Sequence, residues 1–272
     1  IFRFFYSLFS LTINSQFGDD SFLIQIVSCN ENKTSMWLLA LAIAPGIAIS
    51  LYIYVKDQYN REPNLNLALS FMFGILCTMP AGLTQMLLTV SLDAVIPQKN
   101  IVHSLILAYP IVGLSEEFCK FFVLRYYAFP KKTFDEPFDG IVYGVFISMG
   151  FATLENIGYV FQNGIGTALV RMFLSVPAHA SFGILMGYFV GMAKFNYERR
   201  SEYLWKGLLI AIFFHGTFDF LLFLQEDAIV TQFASKGLLV AGAIASFLLA
   251  TRLARKAIRE HNDLSRETNQ RL

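Results

Sequence analysis

A helix that crosses a bilayer needs about 20 consecutive, mostly apolar residues. Seven stretches of this chain meet that requirement, running roughly Met36 to Val55, Leu67 to Leu92, Ile101 to Phe129, Gly140 to Phe161, Thr167 to Phe195, Tyr203 to Leu224 and Ile229 to Leu253. Short polar links with turn residues separate them, such as Asn60-Arg61-Glu62-Pro63-Asn64 and Gln162-Asn163-Gly164. Nothing else in the sequence limits the fold so tightly, because a backbone in hydrocarbon must satisfy its own hydrogen bonds and runs of this length do so as helices. The expected architecture is all-α: one polytopic bundle of about seven transmembrane helices. Composition agrees. Of 272 residues, 55% are hydrophobic and only 15% charged, against roughly 25% in an ordinary soluble domain. That balance excludes a disordered chain, a basic nucleic-acid binder and an ordinary cytosolic enzyme, and the partner it implies is the lipid bilayer. Cys29, Cys77 and Cys119 form no framework and read as small buried hydrophobes.

Orientation follows from Lys and Arg, which collect on the cytoplasmic side. Lys56 and Arg61 follow the first span, Arg125, Lys131 and Lys132 end the third, Lys194, Arg199 and Arg200 follow the fifth, and Arg252, Arg255, Lys256 and Arg259 end the seventh. The alternate links are nearly bare, with Lys99 in one and Lys236 near the last. The expectation is an N-terminus outside and a C-terminus in the cytoplasm. Residues 1–35 stand apart: the chain begins with Ile, and Met36 opens the first clean span. The expected division is an N-terminal extension over 1–35, with Met36 as the candidate native start, a single membrane domain over 36–256 and a cytoplasmic tail over 257–272.

Function is read from charges inside the spans. The first two carry no ionisable side chain, whereas the third carries Glu116, Glu117 and Lys120, the fourth Glu155, the fifth His179 with Arg171 near its outer end, and the sixth His215 and Asp219. Each charge at a helix centre costs about 2.5 to 3.5 kcal/mol on insertion scales. Such residues therefore face the bundle interior, pair, or line a wet cavity. At about 1.5 Å per residue, Glu116, His179 and His215 fall near the middles of their helices and Glu155 in the outer half of its own, so one site near the midplane can gather all four. Glu116 and Lys120 are i,i+4 and share a face, as do His215 and Asp219. Phe151 sits one turn before Glu155. Buried carboxyls and imidazoles suit acid–base chemistry. They equally suit a proton- or ion-coupled transporter, although the internal repeat common in transporters is absent, and a membrane protein that only binds its partner would also fit. Two histidines with Glu side chains are ligand types that suit zinc, yet no local spacing such as HExxH supports a metal.

At these residues the chain resembles the PrsW family of intramembrane proteases. Glu116-Glu117-Phe118-Cys119-Lys120 is similar to the family's EExxK motif. Phe138-Asp139-Gly140 through Tyr143-Gly144, then Gly150-Phe151 through Glu155-Asn156, resemble its DGxxYG and GFxxxEN region. Arg171, Pro177-Ala178-His179, Gly183 and Gly187 resemble a third motif, His215-Gly216-Thr217-Phe218-Asp219 a fourth, and Lys56-Asp57 with Glu62-Pro63 the first cytoplasmic link. The related CAAX-type peptidases carry Arg one residue after Lys120, His at position 155 and commonly Asn at 219; the departures favour the PrsW branch. The resemblance implies a multi-pass protein of the bacterial plasma membrane that hydrolyses a peptide bond of a membrane-anchored substrate. A single-span anti-sigma factor, cut at site 1 in envelope stress signalling, is the substrate implied; a CAAX-type peptidase acting on another membrane substrate is the alternative. Glu116, Glu117, Glu155, His179, His215 and Asp219 are the expected catalytic group, supported by Lys120, Phe151, Asn156 and Arg171. A zinc ion, if bound, would take His179, His215 and Glu side chains.

Overall fold

A computed structural model describes residues 32–57 and 60–271. The expected extension lies almost wholly outside the described residues. Among them there is no strand. The helices are α1 (Asn32–Lys56), α2 (Asn64–Val95), α3 (Ile101–Ala128), α4 (Pro137–Phe173), α5 (Ser175–Phe195), α6 (Arg200–Phe223), the short α7 (Val230–Phe233) and α8 (Lys236–Arg271). All but α7 are long and apolar, as the seven apolar stretches require. The last helix runs unbroken through position 256 to Arg271.

Cross-contacts fix the register. Asn66 meets Thr133, Cys77 meets Cys119, Gln85 meets Ser115 and His103 meets Asp93, so α2 and α3 are antiparallel over their whole length. Asn156 donates to Ala42 O (2.9 Å) and Gly46 packs against Thr153, so α4 runs antiparallel to α1. At one end of the bundle Tyr143 donates to Glu62, Asn60 donates to Asp135 (2.9 Å), and Lys194 reaches the carbonyls of Phe129 and Lys131. The Lys- and Arg-rich links therefore gather at that end. Asp57 lies among them, buried, with Glu62 N donating to its Oδ2 (3.3 Å). Burial lifts its carboxyl from 3.8 to about 6, helped by Glu136 and Asp135 and opposed by the Glu62 N–H and Arg61. At the opposite end Lys99 pairs with Glu226.

Two spans differ from the sequence reading. The fifth begins at Ser175 rather than Thr167, because the helix that starts at Pro137 bends at Gly164 and continues to Phe173. Gly164 has φ +77°, a conformation that only glycine holds readily. The last span begins at Lys236 rather than Ile229; Asp227 Oδ1 accepts from the amides of Ile229 and Val230, starting the separate turn of α7. The third span is not uniform either. Its α-helical pieces Ile101–Ile106 and Leu114–Val123 alternate with π-helical Leu107–Gly113 and Leu124–Ala128. Pro110, which has no N–H to give, lies in the first π segment.

Glycines bring the backbones of α4 and α5 into contact. A Cβ added to Gly140 would lie 2.3 Å from Gly187 O, one on Gly187 would lie 2.2 Å from Gly140 O, and one on Gly191 would lie 2.2 Å from Pro137 O. The two backbones touch, which only glycine permits. Gly150 meets α2 the same way: its added Cβ would fall 1.9 Å from Phe71 O.

Candidate active site

Helix α3 presents Glu116, Glu117 and Lys120 toward the interior, all at most 2% exposed. The ammonium of Lys120 donates to Glu117 Oε1 (2.8 Å) and stands 3.5 Å from Glu116 Oε2. The i,i+4 spacing alone favours Glu116 as its partner; the structure gives the closer contact to Glu117, one residue nearer in sequence. Lys120 Nζ also lies 3.0 Å from His179 Nδ1 and 4.2 Å from the centroid of Phe151. Phe151 is thus part of the wall, under an ammonium ion and beside His179.

His179 links two groups of charge. An ammonium has only protons to give, so Nδ1 accepts from Lys120 and the ring's own N–H sits on Nε2. That nitrogen lies 2.9 Å from Glu155 Oε2. Arg171 Nη2 approaches the same oxygen (3.1 Å), while Arg171 Nε donates to Asn156 Oδ1 (3.0 Å). The bend at Gly164 carries Arg171 back to residues about four turns earlier in its own helix, where it also covers the Tyr159 ring at 4.1 Å.

His215 on α6 stands at right angles to His179, ring centroids 5.0 Å apart, with Phe182 stacked against it. Its Nδ1 meets Glu117 Oε1 at 2.7 Å; its Nε2 lies 3.3 Å from Asp219 Oδ2 and 3.9 Å from Glu116 Oε2. The i,i+4 pair with Asp219 is present, but the tightest carboxylate on the ring is Glu117.

Every residue singled out from the sequence therefore lies in one connected cluster: Glu116, Glu117, Lys120, Phe151, Glu155, Asn156, Arg171, His179, His215 and Asp219. A cavity of about 530 Å³ reaches it. Glu116, Glu155, His179, His215 and Asp219 line this space, which continues past Tyr159 and His103 to Lys99 and Glu226 at the end away from the basic links. Glu117 and Lys120 do not line it and stand behind the front row.

Two participants escaped the sequence reading. Gln85 of α2 donates to Glu116 Oε1 and Ser115 Oγ, each at 3.1 Å. A search for ionisable residues passes over an amide; a lone Gln in an apolar span was the available signal. His103, near the start of α3, lies 2.8 Å from Asp93 Oδ1 and lines the cavity mouth.

Ligand atoms of Glu116, Glu117, His179 and His215 lie within 4.8 Å of one another, and all four residues are buried. Glu117 Oε2 has no hydrogen-bond partner among the described residues. Two imidazoles and two carboxylates are a donor set that fits a zinc ion.

Comparison with known proteins bears on this cluster directly. The family model described as "PrsW family intramembrane metalloprotease" matches residues 62–250, which include every residue of the cluster. A protein named "Protease PrsW" from Geobacillus kaustophilus (strain HTA426) is 40% identical over 189 residues, covering 70% of this chain and 81% of its own. Its namesake from Bacillus subtilis (strain 168) is 37% identical over 187 residues, covering 68% and 82%, and that of Clostridioides difficile (strain 630) is 34% identical over 198 residues, covering 69% and 80%. No solved structure gives a significant match. The family is one of peptidases, so the transporter alternative falls. A chain whose buried acids and histidines lie within the matched region, on helices built to cross a bilayer, is a multi-pass cell-membrane protein that belongs to the PrsW family of intramembrane proteases.

Proposed function

We propose that the chain cuts a single-span membrane protein, an anti-sigma factor, at site 1 in envelope stress signalling, with its N-terminus outside and its C-terminus in the cytoplasm. The observation that carries this reading is the cavity that joins Glu116, Glu155, His179 and His215 to the end of the bundle opposite the basic links. Lys and Arg favour the cytoplasmic side, so the cavity admits water and an extended stretch of substrate from outside.

Glu116 acts as the base; its position in the cavity lining, from which Glu117 is absent, supports this choice. It takes a proton from the attacking water and passes it to the amine that leaves when the C–N bond breaks. His215 faces the cavity and is oriented from behind by Glu117 at Nδ1. With a carboxylate at each ring nitrogen, Glu117 at Nδ1 and Asp219 at Nε2, both nitrogens carry an N–H, and the Nε2–H is the donor available to the carbonyl oxygen that gathers negative charge. Glu155, held by Arg171 and His179, orients the water or the substrate backbone. Lys120 balances the charge of the two glutamates. A zinc ion would be held by His179, His215, Glu116 and Glu117 and would supply Lewis-acid polarisation of the carbonyl and an acidified water; Glu116 and His215 would then be its ligands in place of the roles given above.

Cleavage by the purified, reconstituted protein tests the scheme. Glu116→Gln and His215→Ala are expected to lose about 100-fold or more in kcat, the scale on which a positioned acid or base acts. Unimpaired cleavage by single Ala variants at Glu116, Glu117 and His215 overturns it. Membrane proteomics of cells carrying Glu116→Gln identifies the substrate as a single-span protein that accumulates uncut, and elemental analysis of the active protein reads its zinc content.

A further inference from the structure

Gln85 is an amide buried to 3% exposure on a helix with no charged residue before Asp93. Burying an amide costs free energy unless its hydrogen bonds are made, and an aliphatic side chain of the same volume would pack there without that cost. The amide makes two bonds, both to α3. Its nitrogen donates to Ser115 Oγ and to Glu116 Oε1, each at 3.1 Å. The Ser115 hydroxyl gives its own proton to Val112 O (3.1 Å), so toward Gln85 it is an acceptor. With a hydroxyl acceptor and a carboxylate in front of it, the amide must present its NH2 end to α3. The antiparallel register set by the contacts of Cys77 with Cys119 and of Asp93 with His103 holds it at that level.

The two oxygens of Glu116 are thereby distinguished. Oε1 is bound by Gln85, while Oε2 stands 3.5 Å from Lys120 Nζ and 3.9 Å from His215 Nε2. Gln85 also borders the cavity that Glu116 faces. We propose that Gln85 is a positioning residue for peptide hydrolysis: its N–H pins Oε1 of Glu116 and so aims Oε2 at the attacking water. The inference rests on the reading of Glu116 as the base.

The test uses the full-length protein reconstituted in lipid, with Gln85→Met, Gln85→Glu and Glu116→Gln compared with wild type in cleavage kinetics. Gln85→Met keeps the volume and removes the donor; kcat is expected to fall about 10- to 100-fold, the usual effect of losing a group that orients an active-site ligand, with KM close to wild type. Gln85→Glu keeps the shape and puts an acceptor against an acceptor. It is expected to be at least as impaired at neutral pH and to recover as pH falls, because a protonated carboxyl donates where an ionised one repels. A packing role predicts the opposite, full activity in the near-isosteric Gln85→Glu. Wild-type kcat in Gln85→Met, or no recovery of Gln85→Glu at low pH, overturns the proposal. Should Gln85→Met fail to fold by thermal unfolding in detergent, the pH profile of Gln85→Glu decides. Full activity in Glu116→Gln removes the reading of Glu116 itself, whereas its loss beside a fully active Gln85→Met removes only the role given to Gln85.

Discussion

Arg171 illustrates how much of the site was written in single residues. Its charge near the outer end of a span marked it as a supporting residue, but its partners could not be read from a linear pattern. They lie 15 and 16 positions back, on Asn156 and Glu155, and the chain returns to them only because Gly164 bends the helix. The guanidinium serves both at once, Nε on one and Nη2 on the other, while its face covers Tyr159. Lysine has one nitrogen and no planar fork. Arg171→Lys is therefore expected to fold but to lower kcat about tenfold, on the scale seen when an orienting partner is lost; cleavage kinetics at saturating substrate measure it. The ionisable residues were legible because a charge in hydrocarbon is costly enough to demand a reason. Gln85 carries no charge and was missed, and the choice of Lys120 between two adjacent glutamates was settled by the rotation of α3, which spacing alone does not give.

The helices were legible for the same kind of reason, each being a run of apolar residues long enough to span. Their interruptions were harder. Thr167 to Phe173 is as apolar as a span's first turns, so the reading joined it to the fifth helix, whereas the backbone leaves it on α4 beyond the bend. The π-helical turns flanking Leu114–Val123 leave no mark on hydropathy. They bracket the segment that bears Glu116, Glu117 and Lys120, where a widened turn resets which side chains face inward. Contact between helices is sharper still. Gly150 on α4 lies one residue before Phe151 and touches the backbone of α2 at Phe71. Gly150→Val forces these helices apart and is expected to destabilise the protein by about 1 to 3 kcal/mol or more. Thermal unfolding in detergent should show it, and cleavage should fall in parallel because Phe151 and Lys120 lose their register.

For the whole molecule, orientation is the property on which the proposed substrate route depends. The basic links and the cavity mouth occupy opposite ends of the bundle. In a variant cleared of its native cysteines, Gln98→Cys is expected to react with a membrane-impermeant thiol reagent in intact cells, and Lys132→Cys only after the membrane is opened; the reverse pattern inverts the topology. The distribution of Lys and Arg was readable because it is a sum over many residues. The way the ends are tied together was not, since the bonds of Tyr143 to Glu62 and of Asn60 to Asp135 join links far apart in sequence. The glycine contacts between α4 and α5 bear on the chemistry from a distance. Gly140 and Glu155 are 15 residues apart on one helix, about 22 Å at 1.5 Å per residue. Gly187 and His179 are eight residues apart on the partner helix, about 12 Å. The close contact runs on from Gly140 and Gly187 to Ser148 and Gly183, where an added Cβ on Gly183 would lie 2.4 Å from Ser148 Oγ, so a methyl group wedged at Gly140 or Gly187 pushes apart the two helices that carry Glu155 and His179. Packing at the end of the bundle that holds the basic links thus bears on a site several turns away.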